Sequence, residues 1–152
     1  MKKTILSLSI IATLTACSSA GRVTLPIKDA LNSDVAKQKL NPEIKLSFEK
    51  TPIKENSKEW TTTRKTNNVG KAISKSCNRA FISALIALQN RADKVGATEV
   101  SNIYSFSQNV PFHSSTEYQC IEGHIMSSVT LKGTIKIKPI NGLSYNIDIN
   151  NN

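Results

Sequence analysis

The apolar residues of this chain recur in two distinct rhythms, and each predicts a different kind of element. Between Cys77 and Val95, the residues Phe81, Ala84, Leu85, Leu88, Ala92 and Val95 return at steps of three and four. That spacing belongs to one face of a helix of about five turns. Lys94 lies in its last turn, and Gly96 can take the left-handed conformation that ends it. Ile82 and Ile86 widen the apolar face of the first half. Such a helix needs cover on two sides, from a sheet and from either the N-terminal segment or another subunit.

The second rhythm is alternation, which marks strands. In Glu43 to Glu49, Ile44, Leu46 and Phe48 point one way and Lys45, Ser47 and Glu49 the other, as in a half-buried strand. Ala97 to Phe106 reads as a strand with imperfect alternation through Val100, Ile103, Tyr104 and Phe106. From Tyr118 onward, Ile121, Ile125, Val129, Leu131, Ile135 and Ile137 occupy odd positions, while Lys132, Lys136 and Lys138 occupy even ones. One strand from 118 to 138 would run nearly 70 Å at about 3.3 Å per residue, too long for a small domain. A break is therefore expected at Gly123, Ser127-Ser128 or Gly133. Near the end, a three-residue loop from Ile140 to Gly142 would pair Ile137 with Tyr145 and Ile135 with Ile147, keeping apolar side chains on one face. Asp148 to Asn152 then read as a tail.

The remaining segments carry weaker signals. Thr24 can cap a helical turn with Pro26 in it, and Ser33 can cap a second, Asp34 to Leu40, which Asn41-Pro42 terminates. Thr51 to Ser76 is rich in Lys, Thr and Asn and reads as irregular with room for one short strand; Trp60, its one large apolar residue, would anchor a flap in the core. Ser107 to Thr116 reads as a polar turn region around Pro111. Together these elements predict an α+β domain, one long helix packed on a small mostly antiparallel sheet, with a short N-terminal helical segment.

The first residues differ in character from the rest. Lys2 and Lys3 precede an uncharged apolar run, Ile5 to Leu14, and then Leu14-Thr15-Ala16-Cys17. This order is that of a signal peptide. About ten apolar residues are too few to span the ~30 Å hydrocarbon core, which takes about twenty. The four residues resemble the lipobox, which implies cleavage before Cys17 and lipid, palmitate among its acyl chains, on that cysteine. Ser18 stands where Asp would favour retention in the inner membrane, so the resemblance to enterobacterial sorting points to the outer membrane, with the domain facing the periplasm. The expected organisation is a signal peptide over 1–16, a lipidated tether over 17–23, a single domain over 24–147 and a tail over 148–152.

Charge and cysteines take their meaning from that export. The 152-residue chain has 20 basic and 11 acidic side chains; without Lys2 and Lys3, 18 basic residues face 11 acidic ones, a formal +7. A cytosolic protein with this excess would suggest nucleic acid. Beyond the inner membrane no nucleic acid is expected, and the available anions are lipid phosphates, lipopolysaccharide and acidic protein surfaces. With Cys17 lipidated, Cys77 and Cys120 remain in an oxidising compartment and are expected to form a disulfide, the alternative being two separate buried thiols.

No motif assembles a reaction. Gly70-Lys71-Ala72 lacks the glycine spacing and the Lys-Ser or Lys-Thr pair of a phosphate loop. Ser47 and Lys50 match a bare Ser-x-x-Lys pattern, but on an alternating strand they face opposite ways. Glu122, His113 and His124 lie near Cys120 without the spacing of a metal site, so no metal or cofactor is expected. Arg64, Lys65, Lys71, Lys75 and Arg79 form a basic cluster that reads either as a solvated face or as a contact for an acidic partner or membrane phosphates.

Cys77 to Gly133 also resembles a set of small bacterial envelope lipoproteins. The matching residues include Cys77, Phe81, Ala84-Leu85, Leu88-Gln89, Ala92, Gly96-Ala97, Val100, Ile103, Ser105, Ser114-Ser115-Thr116-Glu117-Tyr118, Cys120, Gly123 and Val129 to Gly133. These lipoproteins often carry an excinuclease or DNA-repair ATPase label, which an exported chain without a phosphate loop does not fit. More distantly, the order of helix, glycine, strand and cysteine-bearing strand is similar to RcsF, the outer-membrane lipoprotein that senses envelope stress, and to small α+β domains of the YbjQ type. RcsF has two bridges in its domain, whereas this chain has cysteines for one. A signalling role therefore does not carry over from RcsF, and with no reaction motif in the chain the expected function is a non-catalytic interaction or envelope-sensing module whose partner is an envelope protein or anionic lipid. The alternative is an accessory lipoprotein that binds a small molecule or metal, with a pocket flanked by Glu122 and His124.

Overall fold

The computed structural model describes residues 21–137. In chain order these form β1 (Gly21–Pro26), α1 (Ile27–Leu31), α2 (Asp34–Lys39), β2 (Lys45–Leu46), β3 (Ser57–Asn67), α3 (Ile73–Lys94), β4 (Glu99–Ser107), β5 (Val110–Phe112), β6 (Glu117–Glu122) and β7 (Met126–Lys136). The α+β class stands, with a sheet of seven strands in place of the small one expected. Cys17, the segment 1–16, the hairpin expected around Ile140 to Gly142 and the tail expected after it lie outside the described residues.

Helix α3 follows its periodicity and starts four residues earlier than the pattern marked. Phe81, Ala84, Leu85, Leu88 and Ala92 are buried, and Gly96 ends the helix with φ +66°. Ile82 is fully buried as well. Its cover comes from the N-terminal segment, since α1 and α2 both pack against α3. Ser33 caps α2 as expected, its Oγ accepting the Ala36 N–H at 3.3 Å. The link after α2 is fastened by Gln89, which accepts from the Asn41 N–H and donates to the carbonyls of Asn41 and Ile44.

Thr24 does not cap a helix. It lies within β1, paired with Gln119 on β6, because Val23 and Leu25 alternate against Cys120 and Tyr118 and the ladder satisfies the backbone over the whole strand. The cap of α1 is Pro26. The paired strand begins at Gly21, inside the stretch expected to be tether. Glu43 to Glu49 contracts to two ladder residues of β2, parallel to β4, though Ile44 is buried and Phe48 packs against the core as the alternation required.

The largest departure is β3, an eleven-residue strand in the segment read as irregular, antiparallel to β7 along its full length. It occupies one edge of β7, so β6 and β4 share the other, β6 meeting Ser127 and Ser128 and β4 meeting Leu131 to Ile135. Where β4 and β6 part, Ser105 Oγ accepts the Gln119 N–H at 2.9 Å. The expected turn region contains β5, reached through Gln108 and Asn109, both with positive φ as a two-residue hairpin requires.

Two phase changes account for the irregular alternation. Asn102, at φ +50°, lies in a bulge between Ser101 and Tyr104, so Val100 and Ile103 both face the helix despite their odd spacing. The break in the C-terminal strands falls at Gly123, whose N–H bonds to the Met126 carbonyl around His124 and Ile125. A two-residue connection pairs even residues with odd ones, so Tyr118 and Cys120 of β6 share the buried face with Val129 and Leu131 of β7.

Gly133 lies where Val100 of β4 and Leu88 of α3 leave no room for a side chain. A Cβ there would stand 2.7 Å from Val100 Cγ1 and 3.3 Å from Leu88 Cδ1. Gly133→Ala is therefore expected to destabilise the fold by about 1–3 kcal/mol through overpacking. Urea unfolding measures this, and an unchanged midpoint would contradict the packing described.

Candidate interaction surface

The sheet has one covered face and one open face. Odd residues of β7 face α3, so even ones face away, and the register sets Glu59, Thr61, Thr63 and Lys65 of β3 beside Thr134, Lys132, Thr130 and Ser128. The Thr63 and Thr130 hydroxyls lie 2.9 Å apart. On this threonine-rich ground stands a cluster from four segments. Glu59 accepts from Lys132 Nζ through Oε1 and from the Tyr104 hydroxyl through Oε2, each at 3.0 Å. The His113 ring stacks on Tyr104 at 4.1 Å between centroids, Phe106 meets Tyr104 edge to face at 6.4 Å, and Lys132 Nζ lies 4.0 Å from the Phe106 centroid. The bulge at Asn102 directs Tyr104 and Phe106 outward.

Each member of the cluster restrains another. Partial burial, the hydrogen bond to Glu59 and its negative charge push the Tyr104 phenol up to about 12 from 10.0. The phenol therefore remains a donor across the physiological range. Any stability from its protonated form is present below pH 10 and is lost as pH rises toward 12. In Glu59→Gln the Tyr104 ionisation should fall back toward 10, as read by alkaline absorbance titration; an unmoved titration would contradict the Glu59 contact. Tyr118, by contrast, is buried beneath α3, stacks on Phe81 at 4.0 Å and donates to Asn78 Oδ1 at 2.6 Å. Burial, with a smaller contribution from Asp29, raises its phenol above the ordinary value.

Cys77 and Cys120 meet as a disulfide-capable pair, their Cα atoms 5.9 Å apart and both side chains fully buried. The pair joins the start of α3 to β6. Cys120 stands on an even position and still faces the helix, because the two-residue turn after Gly123 shifts the phase between β6 and β7.

The residues of the basic cluster do not share one face. Arg64 pairs in register with Val129 on the helix side of β3, whereas Lys65 pairs with Ser128 on the open face. Arg64 donates to the Thr63 carbonyl at 3.0 Å and Lys71 to the Asn67 carbonyl at 2.9 Å. Lys75 and Arg79 lie exposed one turn apart on α3. Trp60 packs against the core as expected, from a strand and not a flap, with the Arg91 guanidinium 3.6 Å from its ring centroid.

His124 sits in the β6–β7 turn, Glu122 ends β6, and His113 belongs to the open-face cluster. Among the described residues no three His, Cys, Asp or Glu side chains converge as metal ligands. A shallow crevice among Ile27, Phe48, Phe81, Ile103 and Tyr118 has no room for a water molecule and takes no contribution from Glu122 or His124. Ligand sites begin at about 300 Å³. Sequence reasoning missed the open-face cluster, because Glu59, Tyr104 and Lys132 are joined only through the pairings of β3, β4 and β7.

Residues 1–18 match the prokaryotic membrane lipoprotein lipid attachment site. The chain is thus a lipid-anchored lipoprotein of the cell envelope. No curated protein and no solved structure matches it.

Proposed function

We propose that the domain is a non-catalytic interaction module, held at the outer membrane by lipid on Cys17, that binds another envelope protein through the open face of its sheet. The observation carrying this reading is the cluster of Glu59, Tyr104, Phe106, His113 and Lys132, three rings and an ion pair restrained in place on a face that no helix among the described residues covers. Rigid aromatic side chains beside a charged group are the composition of binding hot spots. The apolar surface of α3 beyond the sheet is met by α1 and α2, which both pack against the helix. Support for the outer membrane comes from Ser18 after the lipidated cysteine, and the likeness of Cys77 to Gly133 to small envelope lipoproteins agrees with the periplasmic setting.

The double variant Tyr104→Ala, Phe106→Ala tests this reading. It should keep its fold and its membrane fraction while losing the partner captured by crosslinking in cells, with affinity down by roughly 30-fold or more. Unchanged capture would remove the open face from the account, and turnover of an envelope substrate by the purified protein would overturn its non-catalytic part.

A further inference from the structure

The lipid attachment point and the fold together fix which end of the domain meets the bilayer. Strand β1 begins at Gly21, opposite Glu122 at the end of β6. Cys17 is four residues earlier, and four residues reach at most about 14 Å. The lipidated residue is thereby confined to the end of the domain that carries the β6–β7 turn.

At this end two turns are bonded into one unit. Asn68 donates its backbone N–H to the Ile125 carbonyl at 3.1 Å and its side-chain amide to the Gly123 carbonyl at 2.8 Å. Ser76 and Ser127 share a buried hydroxyl contact of 2.9 Å just behind them. Three of the five exposed large apolar residues among those described project from this unit: Ile125 is 63% exposed, Val69 60% and Ile73 43%. Isolated exposed apolar residues need no explanation, but three on two joined turns beside a lipid attachment point do.

Charge sorts the same way. The segments forming this end, 21–22, 64–75 and 122–128, contain Arg22, Arg64, Lys65, Lys71 and Lys75 against the single carboxylate of Glu122. The other nine acidic residues among those described lie outside these segments. An apolar tip ringed by cations matches a lipid interface, where side chains enter the acyl boundary and ammonium groups meet phosphates.

We propose that Val69, Ile73 and Ile125 rest in the interface of the bilayer that holds the acylated Cys17, with Lys65, Lys71 and Lys75 on anionic headgroups. The domain then stands on the membrane by a fixed end and does not swing on its tether. Strands β3 and β7 run away from the bilayer, and the open face with Tyr104 and Phe106 is presented sideways to the periplasmic space. The docking rests on the lipid attachment alone and holds whether or not that face binds a protein.

The test uses the full lipidated chain reconstituted into vesicles of phosphatidylethanolamine and phosphatidylglycerol with brominated acyl chains. Tryptophan introduced as Ile125→Trp should be quenched and blue-shifted, whereas Ile53→Trp, placed before the far end of β3, should match its emission in unbrominated vesicles. Adding Val69→Asp and Ile73→Asp to Ile125→Trp should abolish the quenching while lipid and fold are retained. Lys65→Gln, Lys71→Gln and Lys75→Gln should each lower the docked-to-undocked ratio about fivefold in anionic vesicles and leave it unchanged in neutral phosphatidylcholine. Equal quenching at positions 53 and 125, or quenching at 125 that survives the two aspartates, would show tether proximity only and overturn the proposal. Because a substitution can perturb the turns, backbone amide exchange of the unsubstituted chain provides a second reading. Residues 68–73 and 123–126 should be protected in anionic vesicles relative to detergent micelles, and equal exchange in both would count against docking.

Discussion

Removing the Cys77–Cys120 bridge is expected to lower the stability of the domain by about 4 kcal/mol, the chain-entropy value for a closed loop of this length. The sequence separation is 43 residues, and the loop contains most of α3, all of β4 and β5, and most of β6. Without the crosslink the unfolded chain regains the freedom to separate these elements, while the folded chain loses only a contact between two buried sulfurs. In the Cys77→Ala, Cys120→Ala variant the urea midpoint should fall by roughly 2 M for an m-value near 2 kcal/mol/M. Intact mass before and after reduction should differ by two hydrogens. Free thiols titrated in the unfolded, unreduced protein would show that the pair is not bridged, and the stability loss should then shrink to that of two small buried side chains.

Replacing Cys17 with Ala is expected to abolish lipid attachment. The match over residues 1–18 is to a lipid attachment site, and Cys17 is the one cysteine in that stretch; no helix among the described residues is long and apolar enough to cross a membrane. Each buried methylene contributes about 0.8 kcal/mol, so loss of the acyl chains removes far more than any surface contact supplies. The variant should accumulate as an unprocessed or soluble chain and incorporate no radiolabelled palmitate. Palmitate entering the variant as well as the parent would place the lipid elsewhere.

The parts of the fold legible in the sequence are those where one face is apolar and the other polar. Helix α3 announced itself through Phe81, Leu85, Leu88 and Ala92, and its doubled cover through Ile82. Strand β3 did not, because its helix-facing positions hold Trp60, Thr62, Arg64 and Thr66, and threonine carries strand propensity without hydrophobic contrast. Thr24 misled for a related reason: a capping residue signals a helix start only where no ladder competes for the backbone, and β6 competes here. That Cys120, on an even position, would share the buried face with odd residues of β7 depended on the two-residue turn after Gly123, which alternation alone does not specify. The open-face cluster was illegible for a different reason. Glu59 is 45 residues from Tyr104 and 73 from Lys132, so it exists only through strand register and the bulge at Asn102.

The measurement that bears most directly on the account is site-specific photocrosslinking in living cells, with the reactive residue placed in turn at Thr61, beside Lys132 on the open face, and at Asp93 on the exposed end of α3. The account predicts one envelope protein captured from position 61 and not from position 93, identified by mass spectrometry, whose binding to the purified chain is lost on Lys132→Glu. Capture of the same proteins from both positions, or binding that is indifferent to Lys132, would contradict an interaction module that acts through this face.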